Sequence, residues 1–190
     1  KDTSKRHLQF IYQSLLNFKN QTKEQNPNTH IFKGNTTDIF KSLIHQFDVQ
    51  NIYSYQETRV KQSYDIDKKL VTLFNSYGIV WKESQRDGII RGKEARENWD
   101  KKWLSTMESP LIKNKFKIQN KIDLKNDFQI ENEFLKIINK YPKSFQPAGE
   151  NSAWKYLISF LNGRGRNYKK HISKPGKSRF SCGRLSPYLA

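Results

Sequence analysis

Between His30 and Trp81 the sequence changes its hydrophobic period again and again, and this constrains the fold more than anything else in the chain. His30 to Lys33 is a short strand-like run ending at Gly34. Thr36 or Thr37 can cap a following helix in which Ile39, Leu43 and Phe47 line one face. Val49 to Tyr55 (VQNIYSY) is rich in β-branched and aromatic residues and reads as a strand. From Ser63 to about Tyr77 the spacing of Ile66, Leu70 and Phe74 predicts a helix, with Gly78 as its stop and Ile79 to Trp81 opening another strand. Three such alternations with short connections predict an α/β fold with a parallel, Rossmann-like sheet covered by helices. Ligands then gather at the edge formed by the loops after the strands. No G-x-G-x-x-G and no P-loop sequence is present, so a dinucleotide or triphosphate site of those types is not supported.

Helical patterns flank this region. Residues 4–18 carry Leu8, Ile11, Leu15 and Phe18 on one stripe, and the polar, Asn-Pro-containing residues 19–29 read as a loop. From Gln85 the alternation fails. Residues 85–127 mix charges, Pro110, Trp99 and Trp103, and read as an interdomain linker with one short helix around 94–107. The two tryptophans share a helix face at i, i+4. Anchoring the linker onto a domain explains them better than base stacking. A helix is expected from Phe128 to Lys140, stopped by Pro142, and a strongly apolar one from about 150 to 162, closed by Asn162-Gly163. Gly163-Arg164-Gly165-Arg166 reads as a basic, flexible joint. The expected division is therefore 1–84, an α/β domain; 85–127, the linker; and 128–190, the start of an all-α domain.

The net charge is +17, from 35 Lys and Arg against 18 Asp and Glu. More than half of it lies in residues 151–190, which hold nine cations and no acid. A field of that sign favours a polyanion, nucleic acid first. Cys182 is the single cysteine, which excludes a disulfide framework and fits a reducing, cytoplasmic setting. The longest purely apolar run, Tyr156 to Leu161, is far too short to cross a membrane, and the N-terminal residues have no apolar signal core.

Little of this composition is catalytic. The four histidines, His7, His30, His45 and His171, show no metal-ligand spacing with one another or with Cys182. Asp65 and Asp67, and Glu131 and Glu133, stand at i, i+2 and form no general acid–base pair. What remains is the last stretch, Tyr168 to Ala190. Its small residues, hydroxyls and cations suit the binding of an anion; a solvated basic tail is the plain alternative. Pro175 and Gly176 are expected to keep its first half out of helix. Ser181 and Ser186 offer hydroxyls, Gly183 close backbone approach, and Arg184 a fork of donors suited to phosphate. Leu185 offers an anchor and Tyr168 a phenolic donor, so that the set fits a pyrophosphate cradle.

These residues resemble a known family. Gly149-Glu150, Ala153, Leu157, Phe160-Leu161, Tyr168, then Gly183-Arg184-Leu185-Ser186-Pro187-Tyr188-Leu189, look like the opening of the flavin-binding helical domain of DNA photolyases and cryptochromes. The α/β portion, with IYSYQE at 52–57, is similar to that family's antenna domain, and RDGIIRG at 86–92 with Arg96 and Trp99 looks like the start of the interdomain connection in a bacterial branch. The resemblance implies FAD as cofactor, with Tyr168 at its phosphates and Ser181, Cys182, Gly183, Arg184, Leu185 and Ser186 in the loop the family often writes T-S-R-L-S. Cys182 and Gly183 depart from that pattern and lack two hydroxyls, one of which Ser181 can replace. Ile172 stands where many repairing members have a basic residue. Lys169, Lys170, Lys174, Lys177 and Arg179 keep the surface cationic for DNA.

By the same resemblance the activity is light-driven electron transfer from reduced FAD to a pyrimidine dimer in ultraviolet-damaged DNA, by a monomer. An antenna chromophore of folate or deazaflavin type is left open. The alternatives are a cryptochrome photoreceptor without repair and, from another class, a flavin-free basic nucleic-acid-binding protein. The chain reads as an internal fragment of such a protein. One loop cannot enclose the isoalloxazine ring, so these 190 residues are expected to hold FAD weakly and to be inactive alone.

Overall fold

The computed structural model describes residues 4–58, 60–85, 98–111, 117–140 and 145–189. The segment 86–92, with Arg96, lies outside them. Two compact units emerge. One is formed by 32–116 and 123–128, the other by 1–31, 117–122 and 129–190. These boundaries differ from those expected at 84 and 128, because the first helix groups with the C-terminal helices rather than with the strands.

The first unit is a helix-rich α/β arrangement. Helix α2 (Thr36–Gln46) is capped by Asn35, whose side chain accepts from the Thr37 amide at 2.9 Å, one residue before the expected threonine caps. Strand β1 (Asn51–Tyr55) leads through α3 (Lys61–Ser76) to β2 (Val80–Ser84). The strands are parallel, with Asn51 opposite Val80 and Tyr55 opposite Ser84. A parallel pair needs such a crossover.

The end of α3 shows how local sequence sets this register. Gly78 adopts φ 66, the Ile79 amide reaches back to the Phe74 carbonyl at 2.9 Å, and the Gly78 amide reaches Asn75 at 3.2 Å. This paired closure ends the helix and delivers Ile79 straight into the core. Leu70, Leu73, Phe74 and Ile79 are buried there, with Phe40, Ile44, Val49, Ile52 and Trp81 packed around them. The Phe40 and Trp81 rings meet Phe74 edge-on at 5.0 and 5.3 Å.

Among the described residues the sheet has two strands, not three. The run 30–33 has no regular secondary structure and joins no sheet; the Lys33 amide instead donates to the Phe128 carbonyl at 2.9 Å. Residues 117–127 of the expected linker are likewise held by side-chain amides. Within this unit Gln46 accepts from the Lys125 amide at 3.0 Å and donates to its carbonyl at 2.9 Å. Between them lies the short helix α4 (Trp99–Met107), on which Trp99 and Trp103 stack 6.0 Å apart while each stays more than a third exposed.

The second unit is helical. Helix α1 (Lys5–Thr22) starts at Ser4, whose hydroxyl accepts from the His7 amide, and runs four residues past its expected end. Most of its apolar stripe is not its buried face: Leu8 is partly buried but Ile11, Leu15 and Phe18 are exposed, while Gln9 is buried and donates to the Ile137 carbonyl of α5 (Asn132–Asn139) at 2.8 Å. The buried Ile138 also belongs to α5. Asn28 clasps 117–122 as Gln46 clasps 123–128, donating to the Asn120 carbonyl and accepting from the Ile122 amide, both at 2.8 Å.

Helix α6 (Glu150–Asn162) occupies the expected span. After it come a 3₁₀ turn (Arg164–Asn167), α7 (Tyr168–His171), a second 3₁₀ turn (Pro175–Lys177), α8 (Ser178–Ser181) and α9 (Ser186–Leu189). The stretch expected to be non-helical is thus a series of single turns. Pro175 opens one of them, where its missing N–H costs no hydrogen bond. Among the described residues no helix is long and apolar enough to cross a membrane.

Candidate functional site: the 182–186 loop

The loop is positioned by α6 and by the 3₁₀ turn that follows it. Arg164, expected in a flexible joint, is a partly buried tie. Its Nη1 donates to the Cys182 carbonyl at 2.6 Å, its Nη2 to the Tyr156 carbonyl at 2.9 Å, and its Nε to the Ser159 hydroxyl at 2.9 Å. The turn can form because residue 165 is glycine: a Cβ there would lie 2.8 Å from the Phe160 carbonyl oxygen. On the other side the buried Gln146 donates to the Arg184 carbonyl at 2.7 Å, and the Tyr188 hydroxyl donates to the Pro147 carbonyl at 2.7 Å.

Two carbonyls of the loop, those of Cys182 and Arg184, are therefore drawn toward the protein. Arg184 has φ 59, a left-handed conformation unusual for a residue with a side chain. The amides of Gly183, Arg184, Leu185 and Ser186 meet no acceptor among the described residues. Left-handed residues in such loops turn successive amides toward one side and create concavities suited to anions.

The guanidinium groups of Arg164 and Arg184 lie 5.6 and 5.4 Å from the centroid of one ring, Tyr156. Phe10 and Tyr156 flank Tyr188 at 5.4 and 6.0 Å, which continues an aromatic row beneath the loop. The segment 151–190 has no acidic side chain of its own to neutralise this charge.

The expected site residues fare differently. Ser186 is exposed at the start of α9, and Leu185 is partly buried. Tyr168 begins α7 and sets its ring edge-on to Phe160 at 5.8 Å, still about a third exposed. Cys182 is a free, partly buried thiol. Ser181 departs from expectation. It is almost fully buried, and its hydroxyl lies 2.7 Å from His171 Nδ1, so it is committed to the protein and does not replace a missing hydroxyl of the loop. Lys169, Lys170, Lys174, Lys177 and Arg179 are all exposed.

His171 has its pKa lowered from the ordinary 6.5 by desolvation and then by Lys174, Lys177 and Lys170. Among the described residues no group of His, Cys, Asp and Glu could hold a metal ion.

No protein-family model, curated protein or solved structure matches this chain. The site therefore rests on its own chemistry. That chemistry is a cationic loop with uncommitted amides and two arginines on one aromatic ring.

Sequence reasoning missed Arg164, Gln146 and Tyr156. The first sits in a Gly-Arg-Gly-Arg run that reads as solvated, and the other two in contexts that read as loop and core. Only the fold brings them to the same short segment.

Proposed function

We propose that this chain forms part of a light-dependent flavoprotein of the photolyase and cryptochrome type, and that the activity is repair of pyrimidine dimers in DNA. In this reading β1, α3 and β2 belong to a Rossmann-like antenna domain, and α6 to α9 open the flavin-binding domain. The observation that carries the reading is the polarity of the 182–186 loop. Its carbonyls at Cys182 and Arg184 are tied inward, and its amides from 183 to 186 are left for a ligand.

The donor set fits the pyrophosphate of FAD in part. The amides, the Ser186 hydroxyl, the Arg184 guanidinium and the Tyr168 phenol would hold the phosphates. Ser181 does not contribute, because its hydroxyl is bonded to His171. When bound, reduced FAD would supply the light-driven electron-transfer chemistry. The chain's own residues bind and orient it, while Lys169, Lys170, Lys174, Lys177 and Arg179 present positive charge to the DNA backbone. A dimer is poorly stacked, which lowers the cost of extruding it.

The test is to express the complete reading frame that contains this chain and record its absorption spectrum. Illumination with an ultraviolet-damaged oligothymidylate follows. Bound flavin and light-dependent loss of dimers are expected. Flavin without repair would favour the photoreceptor alternative, and a colourless protein that still binds DNA would favour the flavin-free one. The 190 residues alone are expected to hold FAD weakly.

A further inference from the structure

Resting on the flavoprotein reading, we propose that Arg164 is the positioning residue of the phosphate loop, acting through the backbone rather than on the ligand. A guanidinium offers five N–H donors in a rigid fork. In Arg164 three of its nitrogens donate to the protein: Nη1 to Cys182, Nη2 to Tyr156 and Nε to Ser159. The acceptors come from two places. Tyr156 and Ser159 belong to α6, and Cys182 begins the loop, 18 residues beyond Arg164 in the chain. One side chain therefore fixes the start of the loop to the helix that supports it.

The consequence for a ligand is one of sign. A peptide unit that presents its carbonyl to a phosphate repels it, and one that presents its N–H attracts it. By holding the Cys182 carbonyl, Arg164 fixes the peptide plane shared by Cys182 and Gly183 and thus the direction of the Gly183 amide. Gln146 does the same for the plane shared by Arg184 and Leu185. Two of the four uncommitted amides are thereby aimed before any ligand arrives, which lowers the ordering cost of binding. The arginine also keeps its charge close to the loop, sharing the Tyr156 ring with Arg184.

Lysine cannot substitute for this. Its ammonium is a point charge that can hold one carbonyl but cannot span three acceptors in a plane. The pair of variants Arg164→Lys and Arg164→Ala therefore separates charge from geometry.

The single cysteine gives a readout that needs no flavin. Cys182 is partly buried, and its own carbonyl is the one Arg164 holds. In the 190-residue chain, the rate of its reaction with a disulfide reagent such as Ellman's reagent reports how often the loop opens. Removing a nearby cation by itself makes the site less attractive to the anionic reagent and slows that reaction. An acceleration therefore reads loosening and not charge. We expect Arg164→Ala to react several-fold faster than wild type, and Arg164→Lys to be accelerated as well, with helix content preserved by circular dichroism. In the complete flavoprotein Arg164→Ala is expected to raise the dissociation constant for FAD about tenfold, and Arg164→Lys to restore it only in part.

Unchanged labelling in both variants would overturn the tie. Faster labelling with unchanged FAD affinity would overturn the positioning role while leaving the flavoprotein reading intact. A wild-type protein that binds no flavin would overturn that reading and the ligand half of the proposal with it, and the labelling rates would still decide whether Arg164 orders the loop.

Discussion

The Ser181 hydroxyl and His171 Nδ1 meet at 2.7 Å, and this contact turns a residue with the composition of a ligand contact into a piece of internal structure. Ser181 is only 3 % exposed, at the end of α8, and His171 ends α7. The hydrogen bond joins the two turns that rest on the Arg164–Asn167 turn. On the flavoprotein reading it leaves one hydroxyl fewer for the loop. Its benefit in structure is a buried polar group with a partner.

A pH dependence follows from the same pair. Desolvation, then Lys174, Lys177 and Lys170, lower the His171 pKa from 6.5. His30 shifts the same way, through desolvation, Lys19 and Lys121. Near pH 6 the unfolded chain therefore binds more protons than the native one, and stability rises with pH through that window. The contribution is fully present above 6.5 and is lost as pH falls through the native pKa values. A nuclear magnetic resonance titration should place the His171 midpoint below 6.5. Lys174→Ala and Lys177→Ala should each move it upward, and replacing His171 with Gln should flatten the acid side of the stability profile.

Phe74 carries the core of the α/β unit. It is 1 % exposed and meets Phe40 and Trp81 edge-on. Its carbonyl also closes the end of α3 through Ile79. Truncation to alanine leaves a cavity beneath a sheet that has two strands among the described residues, so local collapse has little to draw on. Phe74→Ala is expected to cost about 3–5 kcal/mol, read as a lowered urea midpoint. An exposed aromatic of the same unit, Tyr53, is the control: Tyr53→Ala should stay within about 0.5 kcal/mol of wild type.

How much of this was legible in the sequence depended on whether the deciding force was local. The span of α6 and the Gly78 stop of α3 were legible, because periodicity and a left-handed glycine act within a few residues. The inward face of α1 was not. Its apolar stripe of Ile11, Leu15 and Phe18 is exposed, and the buried position is Gln9, whose partner lies 128 residues away. Residues 117–127 of the expected linker escaped reading for the same reason, since Asn28 and Gln46 hold them from far upstream with side chains that look solvated. At the site, the ligand-like residue types of the loop were legible, but the orientation of Ser181 and the role of Arg164 depend on tertiary hydrogen bonds that leave no periodic trace.

Two glycines with positive φ separate strain from crowding. Gly78 at φ 66 has open space around its missing Cβ, whereas Gly149 at φ 91 would place a Cβ 2.8 Å from the Asn17 side chain. Gly78→Ala should cost only the left-handed conformation, about 1–2 kcal/mol. Gly149→Ala should cost more on two counts, because φ 91 with ψ 158 is a conformation essentially confined to glycine and the Cβ adds a collision. Adding Asn17→Ala should remove the 2.8 Å contacts with the Asn17 amide and leave the strain and a tight 3.1 Å contact with the Asn17 Cβ, a positive coupling in the double-mutant cycle. Thermal melts of the four proteins decide it, and an additive pair would show that Asn17 does not set the limit.

The exposed cations of α7 to α8 make a quantitative claim about DNA. Lys169, Lys170, Lys174, Lys177 and Arg179 have no acidic neighbour within residues 151–190. If they neutralise phosphates, counterion release makes log K fall with log salt at about 0.9 per phosphate contacted on duplex DNA. Each of Lys174→Gln and Lys177→Gln should then weaken binding evenly across sequences and flatten the salt slope by about 1. Lys101→Gln and Lys102→Gln, equally basic but on α4, should leave the slope unchanged. Fluorescence anisotropy of a labelled duplex at four salt concentrations measures all five proteins. A slope that responds to the α4 lysines and ignores Lys174 and Lys177 would move the DNA-binding face to the other unit.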